Sequence, residues 1–319
     1  MTPIPGKQKK IVVLGGLNMD LIVDTPRPAG PGETTEGTRF YTTPGGKGGN
    51  QAVAAGRLSQ PGSVEMVGRV GADSYGREMT EYLNASGVGT RYLRQDSTTS
   101  SGVAVIFVDA TGQNYVNAVY GANARCDAHQ AADATQAMQG AGALLAQQEV
   151  PLEATFEAMK SARRLGVTVV LDPAPARPKL PDGFLQLADI LTPNQTEAEA
   201  LAGFPVVDAA SARKAARAIK ELGVPGVIVK MGELGAWVEV GGLSQHFAAF
   251  KVPVVATVGA GDAFNGGLAA GIAQGMPFGD AVWLAMAAGA MSVTKAGAQE
   301  SMPTREAVER LLRKQGARR

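Results

Sequence analysis

Residues 257–267, Thr-Val-Gly-Ala-Gly-Asp-Ala-Phe-Asn-Gly-Gly, leave the chain little choice of local fold. The β-branched run Val252–Val255 precedes them and the small apolar stretch Leu268–Ala273 follows, so the pattern reads as strand, glycine turn and helix start. The first N–H groups of a helix have no intrahelical acceptor, and the macrodipole adds partial positive charge, which makes such a turn a receptor for anions. Glycines let a phosphate come close to the backbone. A carboxylate at Asp262 would repel that phosphate, which makes sense if a hydroxyl is to be held against it and deprotonated. The plain structural alternative is that Asp262 caps the helix.

The rest of the chain is read with this turn in mind. Ile11–Leu14 is a buried-strand pattern that ends at Gly15-Gly16 and runs into Asn18-Met19-Asp20. Polar side chains past the carboxyl end of a first parallel strand sit where open α/β sheets bind ligands. Asn18 and Asp20 point the same way from an extended segment and suit sugar hydroxyls, or else they make an Asx-type turn. Leu21–Val23 and Glu33–Tyr41 are strand-like pieces among prolines and glycines, and they are assigned to a small accessory sheet. Gly102–Val108 and Asn114–Tyr120 flank a hairpin signal at Asp109–Gly112 and join the same sheet.

Between these pieces, Pro44–Ala55 is a glycine run opening an alanine-rich helix. Lys47 is not followed by Ser or Thr and the glycine spacing is wrong, so this is neither a Walker P-loop nor a dinucleotide fingerprint. It supplies a second helix N-terminus, with Lys47 and Asn50 facing whatever binds there. Further strands are expected at Ser63–Val67, Ala143–Ala146, Val167–Leu171, Asp189–Leu191 and Val227–Lys230, and helices at 75–86, 128–138, 151–165 and 209–222. That alternation predicts an α/β fold: a Rossmann-like, mostly parallel central sheet with helices on both faces, plus the small β-sheet. Glu149, Asp172–Ala176 and Thr192–Glu197 fall at the ligand-binding edge. Asn194 and Glu197 have the spacing of a capping box, and Glu197 equally suits a magnesium ion held through water. Lys230-Met231-Gly232-Glu233-Leu234-Gly235 is a glycine turn suited to nucleotide contact, and Gly241-Gly242 is expected to close a tight hairpin.

Gly45–Ala52 and Ala256–Gly267, with Pro31–Thr34, Gly121–Ala124, Asp172–Ala176 and Thr192–Glu197, resemble the motifs of the ribokinase group of the carbohydrate kinase family, which also includes fructokinases and adenosine kinases. The resemblance runs from about Ile11 to Pro303. It implies one α/β unit over 1–319 whose β lid is formed by segments about 18–43 and 100–120. It also implies transfer of a phosphoryl group from ATP to O5 of D-ribose, giving D-ribose 5-phosphate and ADP. On matching positions it places Asn18, Asp20, Gly46, Lys47, Asn50, Glu149 and Asp262 on the sugar. Asn194, Glu197, the turn Lys230 to Gly235, Gly261 and Met286 fall on the nucleotide, with Met286 standing where relatives often carry a polar residue near the adenine. Gly259, Ala260 and Gly261 become the anion hole and Asp262 the general base, which beside a helix N-terminus is expected to stay ionised. Mg²⁺ is implied as cofactor, and a homodimer through the lid.

One departure concerns potassium. The resemblance implies a K⁺ loop from Val258, Ser292, Lys295, Gly297 and Ser301, but Ala256 stands where relatives carry an aspartate that holds the ion. Carbonyls alone leave the cation's charge uncompensated, so potassium activation is expected to be weak or absent. The alternatives are a kinase for deoxyribose, fructose or a sugar acid, or a catalytically weakened member of the family. With 30 basic and 29 acidic residues the chain has no general attraction for nucleic acid or an anionic membrane. A single cysteine, Cys126, rules out an internal disulfide and fits a cytoplasmic protein. The polar stretch before Ile11 is read as a frayed tail.

Overall fold

The four apolar residues after Lys10 divide between two faces. In the computed structural model, which describes residues 8–315, strand β1 (Lys10–Leu14) sends Ile11 and Val13 into one hydrophobic core and Val12 and Leu14 into the other. Burial on both sides is why this strand reads as a continuous apolar run, without alternation. After it come β2 (Asn18–Asp24), β3 (Arg39–Gly45), α1 (Lys47–Leu58), β4 (Val64–Gly71), α2 (Ser74–Ala85), β5 (Val88–Asp96), β6 (Gly102–Val108), β7 (Asn114–Val119) and α3 (Ala128–Ala137). The second half alternates β8 (Ala141–Ala146), α4 (Leu152–Leu165), β9 (Thr168–Leu171), β10 (Ile190–Leu191), α5 (Gln195–Ala202), α6 (Ala209–Glu221) and β11 (Gly226–Lys230). It closes with β12 (Ala236–Val240), β13 (Leu243–Phe247), α7 (Ala260–Ala273), α8 (Phe278–Ser292) and α9 (Arg305–Gln315).

Nine strands form the central sheet in the order β13-β12-β11-β10-β9-β8-β1-β4-β5, parallel except for the antiparallel pairing of β11 with β12 and β12 with β13. The hairpin at Gly241-Gly242 joins the last two strands, and both glycines have positive φ. Helices α1, α2, α7, α8 and α9 pack in the core of Ile11 and Val13, and α3 to α6 in that of Val12 and Leu14. The expected α/β architecture with helices on both faces is therefore the one observed. A second sheet, in the order β3-β2-β6-β7, is the lid; β2 pairs with β6 in parallel and with β3 antiparallel.

Two sequence expectations fail locally. Residues Val252–Val255 form no strand, because Pro253 has no N–H to give and the amides of Val255 and Ala256 both donate to the carbonyl of Val293. In the segment Glu33–Tyr41 the strand starts only at Arg39. Glu33 is held back in the preceding loop by both guanidinium nitrogens of Arg27 and by the amide of Gly30. The polar tail expected before Ile11 lies outside the described residues up to position 7. Cys126 is buried with Val150 and Ala154, and burial pushes its thiol up to about 12, as inert packing requires. Among the described residues no helix is long and apolar enough to cross a membrane.

Candidate active site

Helices α1 and α7 meet through small residues. A Cβ at Gly266 would lie 2.5 Å from that of Ala54, so the two backbones run close together. This approach delivers the polar residues of the first turn of α1 to Asp262 on α7. Asn50 Nδ2 donates to Asp262 Oδ2 at 2.9 Å and Gln51 Nε2 to Asp262 Oδ1 at 3.0 Å. The helix cap is Gly259, in the left-handed conformation at φ 78°, and no side chain bonds the amides of that turn. Asp262 thus does not cap its helix; the amide of Ala260 donates to the carbonyl of Thr257 at 3.3 Å, and Gly259, Ala260 and Gly261 line a cavity.

That cavity, of about 1070 Å³, is lined by Lys47, Asn194, Glu197, Lys230, Gly232, Glu233, Gly235, Phe250, Val252, Val254, Thr257, Asp262, Met286 and Val293, among others. Most of the residues assigned to the nucleotide therefore line one cavity. Met231 and Leu234 do not: Met231 is buried in the core beneath the turn, and the Leu234 side chain is exposed while its carbonyl meets His246 Nε2. Asn194 and Glu197 form a complete capping box at the start of α5, with Glu197 Oε2 accepting from the Asn194 amide at 2.8 Å. Glu197 nevertheless reaches the cavity, and burial, then Asp172, pushes its carboxyl up, so a cation there would find charge to balance. Among the described residues no three acidic, histidine or cysteine side chains converge as a ready metal cage. Such a lone carboxylate fits a magnesium ion that keeps most of its waters.

The residues assigned to the sugar lie close to one another around Gly46, Lys47 and Asp262. Asn18 and Asp20 lie in lid strand β2, in register with Gly45 and Thr43 of β3, so the Asx-turn alternative falls away. Asn18 Oδ1 accepts from Asn123 Nδ2 at 2.9 Å. Glu149 Oε2 accepts from the amide of Lys47 at 2.7 Å, next to Gly46, which has φ 81° and caps α1. Burial, then Glu149, Glu300 and Asp262, pushes the Asp20 carboxyl up to about 7. Burial likewise lifts Glu149 to about 7, against the pull of Lys47. For Lys47 burial lowers the ammonium, but Asp262, Asp172, Glu149 and Glu197 outweigh it and hold it above its ordinary value. Asp262 is also raised, by burial first, with Asp172 adding to it and Lys47, Asn50 and Gln51 opposing it. A raised carboxyl is the stronger base once ionised.

These shifts carry a sign. Between ordinary values of 3.8 and 4.5 and folded values of about 7, Asp20 and Glu149 bind more protons folded than unfolded, so stability falls as pH rises through that window. The stability of the ligand-free protein is expected to fall between pH 5 and pH 7.5 by an amount on the order of a few kcal/mol, read as a lower melting temperature. Asp20→Asn should flatten that slope, which differential scanning calorimetry in matched buffers would reveal.

Sequence reading left Gln51, Asn123, Gln147, Asp172 and Glu300 without site roles. Gln51 donates to both Asp172 Oδ2 and Asp262 Oδ1 at 3.0 Å, and Glu300 meets the hydroxyl of Thr43 on the lid. Gln51 and Asp172 already stood inside quoted motifs, and their position beside Asn50 and at a strand's carboxyl end was the available signal.

The pfkB family carbohydrate kinase model matches residues 8–305. The chain belongs to that family. It is 38% identical over 299 residues to a ribokinase of Haemophilus influenzae, covering 94% of this chain and 97% of that protein. It is 37% identical to a deoxyribokinase of Salmonella typhi, covering 93% and 96%. The solved structure of an Arabidopsis thaliana ribokinase complexed with ribose and ATP superposes with a TM-score of 0.89 at 32% identity, covering 96% of this chain and 99% of that one. As a pfkB sugar kinase the chain is a phosphoryl transferase of carbohydrate metabolism.

Proposed function

We propose that this kinase transfers the γ-phosphoryl group of ATP to O5 of D-ribose, with Asp262 as general base. The observation that carries the reading is the place of Asp262. It lines a nucleotide-sized cavity that Lys47 also lines, its carboxylate fixed by the side-chain amides of Asn50 and Gln51 and bonded to no helix amide. In the reaction Asp262 takes the proton of the sugar's terminal hydroxyl as that oxygen attacks phosphorus in line. The turn formed by Gly259, Ala260 and Gly261 at the start of its helix then meets the charge that spreads over the phosphoryl oxygens. Lys47 neutralises the carboxylates around the reacting oxygen. Asn18, Asp20, Asn50 and Glu149 orient the ring, and lid closure excludes water as a competing acceptor. Magnesium, when bound near Glu197, would supply charge neutralisation at the phosphates. The exposed Phe40 and Val119, which the strand register places on one face of the lid, support a homodimer through that sheet.

A deoxyribose kinase is the second reading, favoured by the Salmonella typhi relative, which is nearly as similar as the ribokinases. Coupled ADP release over ribose, deoxyribose, fructose and a sugar acid separates the two. Ribose is expected to give the highest kcat/KM, and a clear preference for deoxyribose would replace the first reading with the second.

For potassium, the segments 256–258 and 292–301 do lie together, since the amides of Val255 and Ala256 bond Val293. The hydroxyls of Ser292 and Ser301 donate to the carbonyls of Gly289 and Ala298, leaving oxygen lone pairs for a cation, with Lys295 and Gly297 on the same loop. The donor set fits an ion except that Ala256 brings no charge. KCl is accordingly expected to stimulate ADP release little, and Ala256→Asp to create saturable stimulation. Strong stimulation of the unaltered protein at low millimolar KCl would contradict this.

A further inference from the structure

The groups least explained so far form one chain of contacts. Lys230 Nζ, at the end of β11, pairs with Asp172 Oδ1 at 3.2 Å, and both side chains are largely enclosed, at 13% and 3% exposure. The other Asp172 oxygen accepts from Gln51 Nε2, and the same nitrogen donates to Asp262. Gln147 Nε2 donates to Gln51 Oε1 at 2.7 Å, so the amide's orientation is fixed. Turned over, Gln51 would set an oxygen between two carboxylates and a nitrogen against a donor. Both amide hydrogens are thus committed, one to each acid. At the other end, a Cβ built on Gly261 would stand 3.2 Å from Lys230 Nζ, so the ammonium lies against the glycine turn at the N-terminus of α7.

A buried ion pair is weak evidence for stability, because desolvation consumes most of the attraction. This pair faces a cavity and an anion-receiving turn, where a mobile ammonium would have other partners. Resting on the kinase reading above, we propose that Lys230 is a catalytic residue that contacts the transferred phosphoryl group, that Asp172 holds its ammonium over the glycine turn, and that Gln51 ties this clamp to Asp262. Asp172 and Gln51 are positioning residues. The proton acceptor and the phosphoryl clamp are then set at a fixed separation by one side-chain amide.

Titration calorimetry and steady-state kinetics on the full-length protein test this together. Lys230→Met is expected to lower kcat about 10²–10³-fold, the usual cost of removing one donor to a developing charge, with the KM for the sugar nearly unchanged. It should also erase the tighter binding of a non-hydrolysable ATP analogue over ADP, because only the γ-phosphoryl reaches Lys230. Lys230→Arg should restore part of both. Asp172→Asn, which keeps the shape, should reduce kcat, and the double variant with Lys230→Met should be no slower than Lys230→Met alone. Gln51→Leu should lower kcat while sparing the preference for the ATP analogue. A merely structural pair would lower the melting temperature and leave that preference intact, which overturns the proposal, as would effects of Lys230→Met and Asp172→Asn that multiply. The calorimetric preference needs no turnover. A wild-type protein that phosphorylates no sugar would therefore remove the kinase reading while Lys230 is still judged on ATP-analogue binding.

Discussion

Asp262→Ala is expected to lower kcat about 10²- to 10⁴-fold, the range for losing a positioned general base, while sugar binding is largely kept. The asymmetry follows from where the contacts lie. Asn18, Asp20 and Glu149 are held by their own partners, Asn123, the lid register and the Lys47 amide, and none of these passes through residue 262. Stability should move the other way or not at all. Asp262 is buried beside Asp172 and its carboxyl is raised, so its charge costs the folded state free energy that alanine would return. Alanine also leaves Asn50 Nδ2 without its acceptor, a smaller loss in a site open to the cavity. A variant that is inactive, binds ribose and melts no lower than the parent is the combination expected of a group kept for chemistry. Near-normal turnover would remove Asp262 from the mechanism.

The same residue marks how far sequence reasoning reached. The strand Ile11–Leu14, the glycine run at 45–49 and the turn at 259–261 were legible because burial on two faces and close backbone approach each demand a narrow set of residues. The alternation of strands and helices from Ala143 onward was legible for the same reason. The edge strand β5 was not, since Val88–Asp96 mixes charged and apolar residues on a half-exposed edge with a register shift near Glu65. Helix α8 is apolar almost all round and carries no stripe to betray its face. In the site, Asn50 stood out through its glycine neighbours, yet Gln51 beside it looked like an ordinary helix residue. Its meaning comes from Asp172 and Asp262, 121 and 211 positions away. Contacts of that kind leave no local pattern, and the same holds for the enclosure that raises the Asp262 carboxyl.

Gly48→Ala should be severely damaging although it adds only a methyl group. Residue 48 lies in the first turn of α1, and an added Cβ would stand 2.6 Å from the carbonyl carbon of Gly15 and 2.7 Å from the amide nitrogen and carbonyl oxygen of Gly16. All three are backbone atoms, so no side chain can swing aside. Nor can the backbone yield cheaply, because Gly15 follows directly on β1, which is paired on both sides by β4 and β8. The first turn of α1 would have to lift instead, carrying Lys47, Asn50 and Gln51 away from Glu149 and Asp262. Overpacking of a rigid core costs about 1–3 kcal/mol and sometimes more, and contact with fixed backbone on one side puts this case at about 3 kcal/mol. For a chain of this length that is a melting temperature lower by roughly 5 °C. Activity should fall much further than stability, since a shift of about 1 Å in the groups that hold the base is enough to cost about 10²-fold. Calorimetry and ADP release on the same preparation separate the two effects. A Gly48→Ala protein that melts and turns over like the parent would mean that α1 can move against β1 without disturbing Asp262, and the rigid seating of Asp262 against that helix would have to be given up.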